Sequence, residues 1–355
     1  MKKIAIEEHF RTDNYINHLK TRKEYPKLEV TRDDKGQETW REWSADGEYQ
    51  LWIPRAITRL CDIGEGRIKE MDDAGVDMQV LGFPPGVEMF SAAEGTALVR
   101  QINDDVAAAV RKHPDRFTAL AALPLKDPKA AADELERAVK KLGLKGAMIF
   151  PHVAGEYIDH KKYWPIFETA AKLGVPLYVH PTHPPVERQK QYTDYPELSG
   201  SLWAFAAETG LGAMRLICSG IFDTYPSLQI ILGHLGEALP FWMWRLDNRM
   251  LRSSVTVMSS QKMEGGGGFV PLAKTLKKLP SHYLKENFYV TTSGMLWQPA
   301  LICTILALGA DRIMFAVDYP MEPSQEAVQF MEAAAVSDSD KEKIYHLNAE
   351  KLFGL

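Results

Sequence analysis

The chain has 355 residues, 45% of them hydrophobic and 25% charged, which is typical of a globular protein with a substantial buried core. Its formal net charge of −5 gives no broad positive field, so nucleic acid and polyphosphate partners are not expected. The N-terminus lacks an apolar signal segment, and no window holds 18 uninterrupted apolar residues. We therefore expect a soluble, cytoplasmic protein without a membrane anchor.

Strand and helix patterns alternate to the end of the chain. Short apolar runs predict strands at 3–8, 77–83, 117–124, 145–150, 176–180, 228–233, 287–292 and 312–317. Apolar residues at helical spacing predict helices at 96–112, 129–142, 163–173, 205–222 and 298–308. Eight strands interleaved with helices predict an α/β fold, a (β/α)8 TIM barrel, with residues 1–355 forming one domain.

The segment at about 11–60 interrupts this alternation. It is polar, rich in tryptophan and too long for an ordinary loop between a strand and a helix. Because it follows the first strand, it leaves from the catalytic face of a barrel, where it could cover the site or form a surface excursion or subunit contact. Its candidates for stacking on an aromatic ring or pairing with a carboxylate are Trp40, Trp43, Trp52, Arg55 and Arg59.

A second polar stretch, at 253–275, predicts a flexible loop. The glycines at 265–268 lack the strand, helix and lysine of a phosphate-binding loop, so we assign them no phosphate. The three cysteines are isolated in apolar contexts, and they form neither a disulfide framework nor a zinc-binding CxxC pair. None of these features indicates a further functional site.

Metal-binding or acid/base side chains follow four of the predicted strands. They are Glu7 and His9 in IAIEEH, His180 after PLYV, His234 after IILG and Asp318 after IMFAV. In a parallel barrel all strands end on the same face, so these residues should converge. Taken singly, the Glu7–His9 pair and a lone histidine such as His180 are more often ordinary surface or packing residues.

The residue types favour a bound metal ion. Glu7 and His9 are two apart, so in a regular strand both point to one side and Glu8 points to the other. With His180 and Asp318 they form a set of two carboxylates and two imidazoles that suits Zn²⁺ or Mn²⁺. His183, already in the loop after the strand, is a weaker candidate.

His234 is a candidate acid/base residue. If a helix begins near Gly236, Glu237 lies in its first turn and can orient the imidazole, although a packing histidine beside a capping glutamate is the alternative. Arg245, in the next helix, is a candidate for binding a substrate carboxylate, or else forms a surface ion pair with Asp247. The aromatic residues near Arg245 are expected in the core or in a subunit interface.

A longer set of motifs resembles the metal-dependent, cofactor-free decarboxylases of the amidohydrolase superfamily, which include γ-resorcylate, 2,3-dihydroxybenzoate, salicylate and 5-carboxyvanillate decarboxylases. The matching motifs, in order along the chain, are EEHF at 7–10, HPDRF at 113–117, LPLKDP at 123–128, VHP at 179–181, FDTYPSLQIILGHLGEALPFWMWR at 222–245, TTSG at 291–294 and GADRIMFAVDYP at 309–320. The histidine at position 9 is similar to the γ-resorcylate type. The motifs GEALPFWMWRLD and WQPA are instead similar to the 5-carboxyvanillate branch.

The resemblance implies an amidohydrolase-type barrel and one divalent ion, Zn²⁺ or alternatively Mn²⁺, held by Glu7, His9, His180 and Asp318. It also implies a small ortho-hydroxylated aromatic acid as substrate, acid/base roles for Asp318 and for His234 with Glu237, and no organic cofactor. A homodimer or homotetramer is expected. The alternatives are a metal-dependent hydrolase such as a lactonase, in which Asp318 activates water, and a silent binding protein on the same scaffold.

Overall fold

The computed structural model describes residues 1–45, 48–252 and 276–355. Its strands are β1 (Ile4–His9), β2 (Lys27–Arg32), β3 (Glu38–Ala45), β4 (Glu48–Trp52), β5 (Met78–Gly82), β6 (Phe117–Ala119), β7 (Ala147–Ile149), β8 (His152–Val153), β9 (Glu156–Tyr157), β10 (Leu177–Val179), β11 (Ile230–Leu232), β12 (Phe288–Thr291) and β13 (Ile313–Met314). The predicted loop at 253–275 lies outside the described residues.

Helices follow most of the barrel strands. They are α1 (Asp13–Thr21), α2 (Pro54–Cys61), α3 (Glu65–Ala74), α4 (Ala92–Lys112), α5 (Pro128–Arg137), α6 (Trp164–Leu173), α7 (Val186–Gln189), α8 (Ala204–Cys218), α9 (Ile221–Thr224), α10 (His234–Glu237), α11 (Leu239–Arg252), α12 (Pro280–Asn287), α13 (Gln298–Leu308), α14 (Ser324–Glu332), α15 (Asp338–Glu342) and α16 (Asn348–Phe353). None of the helices in the described ranges is both long and apolar enough to cross a bilayer.

Eight parallel strands close into the predicted barrel. One sheet has the order β1-β5-β6 and the other β13-β12-β11-β10-β7. At one junction, Ala121 forms a parallel bridge with Ala147. At the other, the Ile6 amide donates to the Phe315 carbonyl at 3.0 Å. The strand order is therefore that of a (β/α)8 barrel, and each of the eight predicted strands overlaps one of its strands.

Burial explains why the barrel strands are continuously apolar. All three residues of β11 are fully buried, as are the residues from Ile313 to Val317, because the barrel interior covers one face and the helices cover the other. The strands are shorter than predicted, since the apolar run continues into the loop after hydrogen bonding ends. Residues 117–124, for example, contain only the three-residue strand β6.

Glycine ends two helical segments: Gly143 after 138–142, which continues from α5, and Gly174 after α6 adopt left-handed φ angles of 78° and 67°. The prediction of one continuous helix at 205–222 is wrong. It is divided into α8 and α9, because Gly220, with a φ of 76°, breaks the helix between them.

The segment at 11–60 has structure of its own. Between α1 and α2, the strands β2, β3 and β4 form a three-stranded antiparallel sheet, which we call the hairpin sheet (residues 27–52). Much of β2 is exposed, whereas Glu42 in β3 is 5% exposed. The contacts of Glu42, described below, place one side of this sheet over the carboxyl-terminal face of the barrel.

Candidate metal centre and active site

Glu7 enters the barrel through an irregularity in β1. The pairing of β1 with β5 shifts register between Ile6 and Glu8, and Glu7 has a φ of 73°. Few residues other than glycine adopt such angles, and those that do are concentrated at functional sites. Glu7 and His9 face a common centre, as predicted, but a bulge places Glu7 there instead of regular alternation. Glu8 turns away and accepts hydrogen bonds from Gln79 and from the Val317 amide.

Hydroxyl groups hold one oxygen of Glu7. Tyr178 and Ser293 donate to Glu7 Oε2, and Thr291 donates to the same oxygen at 3.3 Å. A Cβ at Gly233 would lie 2.9 Å from Oε2, so the absence of a side chain there leaves room for the carboxylate. Among the described residues, Glu7 Oε1 has no hydrogen-bond partner. Hydroxyl groups that hold one carboxylate oxygen by hydrogen bonds and leave the other oxygen available are typical of a metal-binding carboxylate.

His9 and His180 complete a three-residue cluster. Ligand atoms of Glu7, His9 and His180 lie within 4.8 Å of one another, and all three residues are buried. The two Nε2 atoms are 3.1 Å apart. His180 Nδ1 lies 2.7 Å from the Pro181 carbonyl, which leaves its Nε2 directed at the cluster. Two inward nitrogens and a free carboxylate oxygen fit a divalent ion such as Zn²⁺ or Mn²⁺.

The electrostatics of the cluster agree with cation binding. Burial raises the pKa of Glu7 above its usual value, although neighbouring histidines oppose the shift. Burial, together with the charge of His9, places the pKa of His180 well below its usual value. A neutral imidazole is the form that binds a metal. A cation would stabilise the buried Glu7 carboxylate and leave His180 in the protonation state that it already prefers.

Asp318 joins this cluster to a second histidine. Its Oδ1 lies 3.0 Å from His9 Nε2 and its Oδ2 lies 3.9 Å from His234 Nε2. Burial alone would raise the pKa of Asp318, but the nearby imidazoles of His234 and His9 outweigh it, and the pKa falls below its usual value. Asp318 also has a left-handed φ, of 77°. Its carboxylate therefore contacts both the Glu7–His9–His180 cluster and His234.

His234 and Glu237 form a hydrogen-bonded pair. His234 Nδ1 lies 2.8 Å from Glu237 Oε1, and the His234 amide donates to Ser293 Oγ at 3.1 Å. The predicted helix start near Gly236 is wrong: residues from His234 to Ala238 have positive φ angles and form a tight turn, and the regular helix α11 begins at Leu239. The turn still orients the imidazole as predicted. Burial would lower the pKa of His234, but Glu237 and Glu7 outweigh it and raise that pKa well above its usual value.

A buried arginine forms hydrogen bonds to the backbone beside the cluster. Arg67, which is fully buried, donates to the His9 carbonyl at 2.5 Å and to the Arg59 carbonyl at 3.2 Å. Its guanidinium also lies 4.4 Å from the centre of the Tyr319 ring. Arg67 therefore links the ends of β1 and of the strand before Asp318, which stabilises the relative positions of the acidic and imidazole groups.

A cavity of about 840 Å³ lies over the carboxyl ends of the barrel strands. Its walls come from the loops after β1, β5, β7 and β10 and from the hairpin sheet, which contributes Glu42, Ser44 and Gln50. Phe150 lines the cavity and packs edge-on against the His180 ring, with centroids 6.2 Å apart. His183, the weaker metal candidate, lines the cavity and is absent from the Glu7–His9–His180 cluster.

The structure does not bring the predicted substrate-binding arginines into this cluster. Arg55 is exposed. Arg59 donates to Glu70 at 2.7 Å and to the Pro320 carbonyl at 3.2 Å, and its guanidinium lies 4.5 Å from the centre of the Tyr319 ring. Arg245 is on an exposed part of α11. Their roles remain predictions.

The predicted tryptophans differ in position. The indole nitrogen of Trp43 donates to the exposed Glu29 at 3.1 Å, and that of Trp40 donates to Glu38 at 3.0 Å. Trp52 is tied to a cavity residue, since its indole nitrogen donates to Glu42 at 2.8 Å. The sequence analysis missed Arg11, Tyr178, Ser293 and Glu42. Tyr178 was detectable, because it is two residues before His180 in the same strand.

Comparisons with known proteins agree with this geometry. The model of the amidohydrolase family matches residues 52–355. The γ-resorcylate decarboxylase of Polaromonas sp. strain JS666 is 37% identical over 361 residues, which cover 99% of this chain and 98% of the relative.

Two solved structures are also similar. The 5-carboxyvanillate decarboxylase from Sphingomonas paucimobilis aligns with a TM-score of 0.84 and 34% identity, covering 100% of this chain and 99% of that one. The dihydroxybenzoic acid decarboxylase from Polaromonas sp. JS666, solved with bound manganese and the inhibitor 2-nitroresorcinol, aligns with a TM-score of 0.80 and 35% identity, covering 100% and 97% of the two chains.

The alignments with these relatives cover nearly the whole chain, so the likeness is not confined to the strand-end motifs. The resemblance that the sequence motifs predicted is confirmed. The chain belongs to the amidohydrolase family and is homologous to its aromatic-acid decarboxylases.

Proposed function

We propose that this protein is a metal-dependent decarboxylase that converts an ortho-hydroxylated aromatic carboxylic acid into CO2 and a phenol. The observation that carries the proposal is the convergence of Glu7, His9 and His180 with Asp318 and the His234–Glu237 pair at the carboxyl ends of the barrel strands. The three relatives described above are named as decarboxylases, which leaves the lactonase alternative and the silent scaffold with less support.

We propose one divalent ion per chain, with Glu7, His9, His180 and Asp318 as its ligands. Zn²⁺ and Mn²⁺ both suit this donor set, and the manganese of the Polaromonas structure supports Mn²⁺ as the alternative to zinc. When bound, such an ion supplies a Lewis acid for the carboxylate and phenolic oxygens of the substrate. Elemental analysis of the purified protein, with Glu7→Gln as the comparison, measures this occupancy directly.

The chain's own acid/base groups move the protons. His234, which Glu237 keeps protonated, donates its proton toward Asp318, 3.9 Å away, and the neutral imidazole then accepts the phenolic proton. Asp318 then delivers a proton to the ring carbon that bears the carboxylate. The new C–H bond forms, the C–C bond to the carboxylate breaks, its electron pair restores the aromatic ring and CO2 leaves. Because the protonated ring accepts this electron pair, the proposal requires no organic cofactor.

The roles of the arginines and the subunit arrangement belong to the same proposal. Phe241 and Trp244 on α11 are 73% and 75% exposed, and Leu306 on α13 is 83% exposed. They line a surface cavity of about 920 Å³. Large exposed apolar patches mark interaction surfaces. We propose that this face forms a homodimer or homotetramer contact, which would bring Arg245 to a neighbouring subunit's substrate. We propose that Arg55 and Arg59 bind substrate on the side of the hairpin sheet.

We further propose that residues 1–355 form one domain, with residues 11–60 as an insertion, in a cytoplasmic protein. Contacts between the segment at 11–60 and α4 support the single domain: Asn14 Nδ2, for example, donates to Asp105 Oδ2 at 2.9 Å. The three unpaired cysteines suit a reducing compartment. Light scattering of the purified protein, together with the Trp244→Ser variant, tests the oligomer: a smaller species is expected for the variant.

The decisive experiment for the reaction uses carboxyl-labelled salicylate and dihydroxybenzoates with metal-loaded protein. Labelled CO2 and an equal amount of phenol are the expected products, and benzoate, which lacks the ortho-hydroxyl, should react far more slowly. Aromatic lactones are assayed in parallel. Hydrolysis of a lactone without CO2 release from any hydroxybenzoate would overturn the proposal, and so would equal rates on benzoate and salicylate.

A further inference from the structure

A buried ion pair lies at the hairpin side of the cavity. Arg11 and Glu42 are 2% and 5% exposed, and Arg11 Nη1 donates to Glu42 Oε2 at 2.7 Å. Trp52 donates to the same oxygen, and the Arg11 guanidinium lies 4.9 Å from the centre of the Trp52 ring. Desolvating two charges is costly, so burial of an ion pair is poor evidence for a purely stabilising role.

These groups keep unused hydrogen-bonding capacity. Within the described parts of the chain, Arg11 Nε, Glu42 Oε1 and the Tyr15 hydroxyl have no hydrogen-bond partner. A Cβ at Gly86 would lie 2.5 Å from the Tyr15 hydroxyl oxygen, so glycine at this position leaves room for the hydroxyl. Buried polar groups are nearly always paired. Of these residues, Arg11 and Glu42 line the cavity and therefore offer a donor and an acceptor to a bound molecule.

The ion pair is close enough to the metal cluster to contact the same small ligand. Arg11 follows His9 by two residues, which is about 7 Å of extended backbone and comparable with the length of a substituted benzene ring. Arg11 and Glu42 line the same cavity as Phe150, which packs against His180. An aromatic acid bound by its carboxylate at the strand ends would therefore direct its far edge toward Arg11 and Glu42.

The local charge discriminates between possible substituents on that edge. Arg11 and Glu42 cancel each other, and Glu88, also in the cavity wall, is a second acid whose pKa is raised by burial to about 7. Lys190 lines the cavity too but is exposed and solvated. A second carboxylate would be repelled by Glu42 and Glu88. A neutral hydroxyl can donate to Glu42 Oε1 and accept from Arg11 Nε.

We propose that Arg11 and Glu42 form a subsite for a neutral hydroxyl on the ring edge remote from the departing carboxylate. The pair then selects hydroxylated salicylates over aromatic dicarboxylates. This inference rests on the proposed decarboxylase function and narrows its substrate class. Arg11 and Glu42 determine specificity in this proposal and take no part in breaking the C–C bond.

The first test compares substrates of the unmodified, metal-loaded protein. Salicylate is the reference, 2,4- and 2,5-dihydroxybenzoate carry the remote hydroxyl, and 4-hydroxyisophthalate carries a carboxylate instead. We expect kcat/KM for one of the dihydroxybenzoates to exceed that for salicylate about 10-fold, and the dicarboxylate to fall below salicylate by a similar factor. A dicarboxylate that reacts as well as the better dihydroxybenzoate would overturn the inference.

The second test uses Glu42→Gln, which keeps an acceptor for Arg11 and Trp52 and changes the charge. We expect the preference for the dihydroxybenzoate over salicylate to fall about 5- to 10-fold, mainly in KM, with metal content unchanged. Glu29→Gln is the matched control, since Glu29 also accepts an indole hydrogen bond in the hairpin sheet but is exposed. If Glu42 serves only to anchor the sheet, both substrates will lose rate equally, and the inference is then wrong.

Two further measurements cover the remaining outcomes. If Glu42→Gln does not fold, Arg11→Lys keeps the positive charge beside Glu42 but removes Nε from the same subsite and should reduce the same preference, whereas an unchanged preference contradicts the inference. If no hydroxybenzoate releases CO2, the proposed function fails. Calorimetric titration with the same acids then still tests the subsite, because the inference requires the affinity to decrease from dihydroxybenzoate to salicylate to dicarboxylate.

Discussion

The ends of the barrel strands and the hairpin sheet place different kinds of residue on the carboxyl-terminal side of the barrel. At the strand ends, Glu7, His9 and His180 are held within 4.8 Å by a closed hydrogen-bonded barrel. The hairpin sheet is a small, largely exposed antiparallel sheet, and Arg11–Glu42 is a buried contact between it and the loop after β1. The barrel thus supplies reactive groups at fixed positions, and the hairpin supplies groups that face the rest of the substrate.

This difference has a physical basis. Groups that transfer protons or bind a metal must be placed within a fraction of an ångström. Strand ends whose side chains are held by hydrogen bonds from neighbouring groups provide that precision. Groups that recognise a remote substituent tolerate more variation, because each contributes a single hydrogen bond. We therefore expect substitutions at the strand ends to affect all substrates, and substitutions on the hairpin side to affect some substrates or only stability.

The largest effect is expected for Asp318→Asn. The amide cannot transfer the proton to the ring carbon and binds a metal less well, so turnover should fall below detection, a loss on the order of 10³-fold or more, in a protein that still folds. Initial rates of CO2 release and elemental analysis measure both effects. Asp311→Asn, at an exposed position paired with Lys343, is the control and should retain full activity. Substantial turnover by Asp318→Asn would contradict the assigned role.

His234→Ala should separate acid/base chemistry from metal binding. The imidazole is held by Glu237 and lies beside Asp318 without belonging to the Glu7–His9–His180 cluster. We expect the variant to keep its metal and its fold but to lose on the order of 10²-fold or more in kcat, on every substrate. His160→Ala, at an exposed histidine near Glu156, is the control. Near-native kcat in His234→Ala would remove His234 from the mechanism.

Tyr178→Phe tests the support of the metal site. The substitution removes a hydroxyl that donates to Glu7 Oε2 and leaves the ring in the barrel, so Glu7 loses part of its orientation. Loss of a hydrogen bond that orients a metal ligand weakens metal affinity by about 10- to 100-fold. Titration of the metal-free protein with Mn²⁺ and Zn²⁺ measures the change, and Tyr345→Phe, a buried tyrosine outside the cluster, serves as the control. Unchanged affinity would show that the hydroxyl does not position Glu7.

The smallest effect is expected on the hairpin side, at Glu88. Burial raises its pKa to about 7 in the folded protein, against about 4.3 in an unfolded chain. The folded state therefore favours the protonated form. The resulting stabilisation is complete below pH 4.3 and disappears as the pH rises through 7.

Relative to Glu88→Gln, the unmodified protein should thus lose about 2–3 kcal/mol of stability between pH 5 and pH 8. Urea unfolding of both proteins at several pH values measures this difference. Glu29→Gln, at an exposed position, should show no such trend. A difference between the unmodified protein and Glu88→Gln that is constant over this range would mean that Glu88 is not desolvated by the cavity wall.

Much of the site could be predicted because each residue directly follows a local pattern. His180 and Asp318 directly follow apolar runs whose strand character is readable from the sequence, and the parallel barrel then brings them to one face. The turn at His234 and the bulge at Glu7 could not be predicted in this way. Their positive φ angles are imposed by contacts with distant segments, such as the hydroxyls of Tyr178 and Ser293 on Glu7.

The sequence by itself determined the barrel, the order of its strands and which side chains follow them, because apolar periodicity and helix-ending glycines are local properties of the chain. Only the tertiary structure decided that Arg11 pairs with Glu42 across 31 positions, that Arg59 binds Glu70 and that Arg245 is exposed. An arginine has the same sequence signature on a surface, in an ion pair or against a ligand. Its role depends on which distant groups share its surroundings, and the packing of the whole chain sets those surroundings.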